Sequence, residues 1–365
     1  MIDPKIQPIR LYGSNISYFS GKLEMYFRAK GIPYQWQTMT ARCIQTLIKP
    51  NTGVTQMPAV QLGDGRWMTD TTAIIAWFEE HYPTPAITPA DPVQRFFSLL
   101  VEDYADEWLW RPAMHYRWYG DEGAMAASRH LANELMVDIP LPGTFKRWLL
   151  RQRQRRGFTV GDGVTADNRH QVEAIYHDNL ARLEAILQRR PFLLGTRPSL
   201  IDIAFMGPMF RHFSQDPGPA EIMRQVAPAV VEWIARLWNH QPAVAGGEWL
   251  EDIPQDWSPW LDDIGENYLP YLNANAEAVA AGKKHFDTSA GGVSYHAARS
   301  SRYRVWCLEQ LRDHYRALSA DNQTQARNWL EQHGCWAPLW QVQELDSGVN
   351  RSLTPPFGSN AMIFE

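Results

Sequence analysis

Between His81 and Pro92 the chain carries four prolines, Pro83, Pro85, Pro89 and Pro92. Proline lacks an amide donor and pushes the residue before it out of the helical region, so no continuous helix or ladder strand can cross this segment. It therefore reads as a linker between two stretches of different character. Ahead of it lie short extended runs broken by turns. After it, apolar residues recur at helical spacing almost to the end of the 365 residues.

In the first stretch, residues 9–13 read as a strand. Leu23, Phe27 and Ile32 follow at roughly helical spacing, with Gly31 as the stop. Tyr34 to Gln37 is a second strand, and Cys43 to Ile48 is a short helical or irregular turn. Residues 59–62 and 66–68 flank Gly63-Asp64-Gly65, a turn whose Asp-Gly pair suits positive φ, so they form a hairpin. Asp70 or Thr69 then caps a helix bearing Ile74, Ile75, Trp77 and Phe78. The order is βαβ followed by ββα.

After the linker the pattern predicts helices over about 92–118, 123–137, 144–156, 167–189, 200–215, 219–239, 257–281, 300–318 and 321–333. The expected fold class is therefore α+β. Three regions follow: 1–82, 92–245 and a helical extension over 246–365, with a tail from about Asp346 that is loose or draped over the surface.

Composition excludes several classes. A net charge of −5 gives no reason to expect a nucleic-acid partner. The basic cluster Lys146, Arg147, Arg151, Arg153, Arg155 and Arg156 reads as a solvated helix face. Three scattered cysteines with no CxxC, and histidines with no HExxH, predict no metal and a reducing compartment. No long apolar run or leader pattern is seen, so no membrane association and a cytoplasmic location are expected. Sixteen tryptophans, many beside charged residues, fill cores or line pockets for apolar ligands.

Several ordered motifs resemble those of glutathione S-transferases. Ser17-Tyr-Phe-Ser-Gly-Lys-Leu, closing at Lys30-Gly31-Ile32-Pro33-Tyr34, is similar to the signature around the first helix of serine-type members, with Tyr18 where many carry proline. Met57-Pro58 resembles the Val-Pro pair whose proline is cis, and Asp70-Thr71 the Glu-Ser pair. Farther on, the segment Phe192–Ser199–Asp202 resembles the helical-domain motif, and the run from Ala227-Pro228 to Trp238 the helix after it. The resemblance spans about residues 8–240. It implies a thioredoxin-like domain and an all-helical domain, glutathione as substrate or cofactor, and room for a homodimer.

The roles that the resemblance implies make chemical sense. A free thiol is mostly un-ionised near neutrality. A hydroxyl donating to sulfur, near a helix N-terminus, favours the thiolate. Ser17 is expected there, with Tyr18 as rival; a plain helix cap is the alternative, and Ser14 and Ser20 are caps as well. Met57, ahead of Pro58, would pair its main chain with the cysteinyl part of glutathione. Asp70 and Thr71 would take the γ-glutamyl end, or are an ordinary N-cap. Lys49 and Gln56 are weaker candidates for the glycyl end.

Between residues 100 and 118, Asp103, Glu107, Arg111 and His115 recur every fourth residue, with Tyr104 and Trp108 beside them. They form either the wall of an electrophile pocket or an ion-pair ladder on a solvated face. Pro112 is expected to kink or interrupt this helix. The function expected is a transferase that joins the glutathione thiolate to a small apolar or aromatic electrophile. The alternatives are a non-catalytic binding protein or scaffold on the same fold, and a glutathione-dependent lyase or isomerase. The apolar face of residues 303–318 should pack on the body, with Cys307 as a small core residue.

Overall fold

The computed structural model describes residues 2–242, 246–349 and 356–357. Strand β1 (Arg10–Gly13) leads into helix α1 (Tyr18–Lys30), capped by Ser17 and stopped at Gly31, whose φ of 72° is open to glycine. Strand β2 (Gln35–Thr38) runs parallel to β1. Two short helices, α2 (Ala41–Cys43) and α3 (Lys49–Thr52), flank a π-helical turn at 44–48. Strands β3 (Ala59–Gln61) and β4 (Trp67–Thr69) form the expected hairpin, closed where Leu62 donates to the Arg66 carbonyl at 2.9 Å. The sheet order is β2-β1-β3-β4, and helix α4 (Thr71–His81) completes the thioredoxin-like unit.

The helical part comprises α5 (Pro92–Glu107), α6 (Trp110–Trp118), α7 (Asp121–Glu134), α8 (Gly143–Gln154), α9 (Arg169–Leu187), α10 (Leu200–Pro208), α11 (Pro217–Val226) and α12 (Pro228–Trp238). Two predicted helices are broken at prolines. The 92–118 span breaks at Trp108–Leu109 because Pro112 offers no N–H to the Trp108 carbonyl and its ring crowds that oxygen. The 219–239 span breaks at Ala227, held at φ −142° ahead of Pro228.

Beyond these lie α13 (Ser258–Asp263) and α14 (Leu269–Ala280), then a hairpin that the helical pattern did not anticipate. Strands β5 (His285–Ala290) and β6 (Val293–Arg299) meet at Gly291-Gly292, whose φ values of 53° and 77° suit a tight hairpin turn. Helices α15 (Arg302–Arg316), α16 (Ala320–Gln332) and α17 (Trp336–Leu339) follow. The extension is thus helical with one inserted hairpin. Part of the tail is described: Thr69 donates to the Pro356 carbonyl at 3.1 Å, and Phe357 bridges Met68 beside β4.

One continuous apolar core joins the sheet, the helical part and the extension. Helix α1 seats closely on α10 and the turn after it. A Cβ on Gly21 would lie 2.1 Å from Arg211 Cγ, and one on Gly207 would lie 2.9 Å from the Tyr18 ring. In the same seam the buried Lys22 ammonium of α1 pairs with Glu102 and Asp106 of α5. Such a pair is favoured only when both partners stay. The seam fixes where the N-terminus of α1 points.

Candidate functional site

A cavity of about 640 Å³ opens at the N-terminus of α1, between the thioredoxin-like unit and α6, α7 and residues 153–158. Three separate sequence motifs contribute to it: Ser17, Met57-Pro58 and Asp70-Thr71.

The loop before α1 is anchored rather than free. Arg211 donates to the Asn15 carbonyl at 2.8 Å, and Arg117 donates to the carbonyls of Ile16 and Arg211 at 2.5 and 2.6 Å. Glu134 accepts from the Ser14 hydroxyl and, at 3.1 Å, from the Asn15 amide. Held this way, half-buried Ser17 caps α1, its oxygen accepting from Ser20 N at 3.4 Å. That bond uses a lone pair, so the hydroxyl proton is left to donate. The first-turn amides of α1 place positive potential beside it.

Tyr18 is placed otherwise. Its ring is buried at 1% exposure against Phe19, Trp110 and His212. Its hydroxyl donates to the Ala105 carbonyl, and burial pushes the phenol well above its ordinary range. The ring edges the cavity, but its hydroxyl is committed to α5, which corrects the expectation of a rival thiol donor.

The Met57-Pro58 bond is cis. Asp70 stands at the head of α4 with φ 71°, its carboxylate accepting from Ala73 N at 3.1 Å and from the Tyr303 hydroxyl. Burial raises the Asp70 carboxyl above the usual range; the Ala73 amide, the Lys22 charge and Tyr303 pull it back. Thr71 is the first residue of α4 and is buried. Gln56 reaches the cavity, whereas Lys49 is exposed on α3 and is not among its walls; Gln45 stands there instead. Gln45 lies within the π-helical turn 44–48.

The opposite wall is apolar. Phe19, Trp110, Met114 and Trp118 meet Leu131, Leu135 and Phe158. His212 also lines it, its Nε2 accepting from Arg117 at 3.0 Å; burial and that cation push the ring well below the usual range, so it is neutral. Aromatic density pointed to Trp110 and Trp118 only loosely. Nothing local marked Phe158, His212 or Tyr303.

Of the residues expected on the pocket side of the 100–118 helix, only Glu107 lines the cavity, paired with Arg304 at 3.2 Å. The others face inward toward the rest of the helical part and the extension. Asp103 accepts from the Tyr268 hydroxyl at 2.7 Å, and Tyr104 donates to Asp263 at 2.7 Å. Trp108 and Arg111 pack with Tyr271 and Tyr295, the guanidinium lying 4.4–4.6 Å from three ring centres. His115 bonds Glu173 on α9 at 2.9 Å. These five residues are therefore neither a substrate wall nor a solvated ladder. They are the buried polar seam that holds the extension and α9 in place.

No group of His, Cys, Asp and Glu that could hold a metal occurs among the described residues, and none of their helices is long and apolar enough to cross a membrane.

With the fold and the cavity in view, comparison with known proteins is direct. A model of the glutathione S-transferase N-terminal domain matches residues 11–86, and one of the C-terminal domain matches residues 148–236. Residues 11–86 and 148–236 thus carry the two domains that define glutathione S-transferases. No curated protein matches it. Among solved structures, the beta-etherase LigF from Sphingobium sp. strain SYK-6 is similar at 20% identity over 64% of this chain and 96% of its own, with a TM-score of 0.45. A glutathione S-transferase from Methylobacterium radiotolerans, in complex with glutathione sulfonate, is similar at 18% identity over 68% of this chain and 98% of its own, with a TM-score of 0.43.

Proposed function

We propose that the chain is a glutathione-dependent transferase acting on apolar or aromatic electrophiles. The observation that carries this reading is the single cavity with two unlike walls: hydroxyl, cis-proline and helix-capping groups on one side, aromatic and aliphatic side chains on the other. In it, the γ-glutamyl carboxylate would meet the Thr71 hydroxyl and the free amides of α4, and its ammonium the Asp70 carboxylate. The Met57 main chain would pair with the cysteinyl residue. Gln56, with Gln45, would face the glycyl end.

Ser17 would donate a hydrogen bond to sulfur and so favour the thiolate, the thiol proton leaving to solvent. The thiolate attacks carbon and the S–C bond forms. In substitution, the leaving group departs with its electron pair. In addition, the electrons move onto the acceptor, which takes a proton from solvent. The apolar wall binds the electrophile and leaves the anion poorly hydrated.

Turnover of 1-chloro-2,4-dinitrobenzene, with calorimetry of glutathione binding, tests the reading. Ser17→Ala should lower kcat by roughly 10–100-fold, the worth of one bond to a charged group, while the Kd for glutathione moves by about threefold or less. Unchanged kcat in the variant removes Ser17 from the mechanism. Wild-type protein that binds glutathione but turns over no electrophile would favour the non-catalytic alternative.

A further inference from the structure

Tyr303 is the second residue of α15, far beyond both stretches that match the family domains. It nevertheless lines the same cavity as Ser17, Met57 and Asp70, and its hydroxyl bonds the Asp70 carboxylate. Its place is fixed from several directions. Ser301 exchanges two hydrogen bonds with Asn275 of α14, at 2.7 and 2.9 Å, and caps α15 by accepting from Arg304 N. Arg304 pairs with Glu107 at 3.2 Å and Asp162 at 3.0 Å. The first turn of α15 is therefore built onto the rim of the cavity.

We propose that Tyr303 is a positioning residue that completes the glutathione site from the C-terminal extension, its hydroxyl orienting the Asp70 carboxylate toward the γ-glutamyl ammonium. This rests on the glutathione reading above. A carboxylate accepts about four hydrogen bonds, so the Ala73 amide and the Tyr303 hydroxyl leave room for the ammonium. The groups whose charge or donation acts on Asp70 are Lys22 from α1, Glu102 from α5 and Tyr303 from α15, and it in turn acts on Glu107 of α5 and Cys307 of α15. Lys22 is shared with Glu102 and Asp106, Glu107 is paired with Arg304, and burial keeps the Cys307 thiol un-ionised. Tyr303 is thus the extension's donor to this carboxylate. Removing it raises the pH at which Asp70 ionises, and the ammonium is then held less well at low pH.

The test is calorimetric titration of the full chain with glutathione from about pH 5 to about pH 8. Tyr303→Phe should raise Kd on the order of fivefold near neutrality, and more at the acid end, so that the acid limb moves to higher pH. Tyr303→His, which keeps a donor, should recover part of the loss and stands in if the Phe variant does not fold. In an Asp70→Asn background, Tyr303→Phe should add nothing. A wild-type Kd and pH profile in Tyr303→Phe, tighter binding, or an undiminished loss in the Asp70→Asn background would each overturn the inference. If wild type itself binds no glutathione, the reading of the whole site falls. If wild type binds and only Asp70→Asn weakens it, the role of Tyr303 alone falls.

Discussion

Asp103 shows how one residue can be misread when only its neighbours in sequence are known. It lies among carboxylates on α5, and burial pushes its carboxyl up to about 7 despite the bonds from Tyr268 and Cys307. The folded protein therefore holds a proton that the unfolded chain releases near the ordinary carboxylate range. Between about pH 4 and about pH 7 the native state binds more protons, so this group's contribution to stability falls as pH rises. The ceiling of the effect is roughly 4 kcal/mol. Urea unfolding across that range should show stability declining with pH, and Asp103→Asn should flatten the decline; an unaltered slope in the variant would refute the assignment. Ser17 and Asp70 were legible because a helix cap announces itself within three or four residues. Asp103 was not, because its partner Tyr268 is brought to it only by the fold. The same holds for Arg111 and Asp162, and for His115 and Glu173.

At the scale of elements, the strands and helices of the thioredoxin-like unit were readable from turn chemistry and spacing. The errors fell where a single residue overrides periodicity. Pro228 divides a helix that the apolar pattern runs together, whereas the break ahead of Pro112 was expected from that proline. Gly291-Gly292 turns a chain back where flanking Ala, Ser and Thr gave no strong strand signal. The seating of α1 on α10 was equally invisible, since it depends on what Gly21 and Gly207 lack. A methyl on Gly207 would press on the Tyr18 ring at 2.9 Å, and Tyr18 is fixed by its bond to Ala105. Gly207→Ala should thus cost about 1–3 kcal/mol as an overpacked contact. Because Tyr18 directly follows Ser17, kcat should fall as well, by several-fold, in protein that is still folded. Thermal unfolding and turnover measured on one preparation check both; a variant as stable as wild type would mean that the seam yields without strain.

At the scale of the molecule, the extension is bound to the rest by more than apolar area. Arg111 is fully buried on α6, and its guanidinium lies among Trp108 of the α5–α6 break, Tyr271 of α14 and Tyr295 of β6. Asp162 lies 3.4 Å from it and also pairs with Arg304 of α15. One cation therefore ties the helical part to two separate elements of the extension, through cation–π contacts strengthened by the loss of water. The continuous core makes the same point. The extension and the helical part should unfold together, in one transition by tryptophan fluorescence and by circular dichroism. Arg111→Met keeps much of the volume but removes the charge. It leaves three ring faces without their cation and Asp162 with Arg304 alone, so the single midpoint should shift down by an amount equivalent to about 2–4 kcal/mol. Coincident curves at the lower midpoint would fit a shared cooperative unit. A separate early transition in wild-type protein would mean that the extension is an independent body, and Tyr303 would then reach the cavity only while that body stays docked.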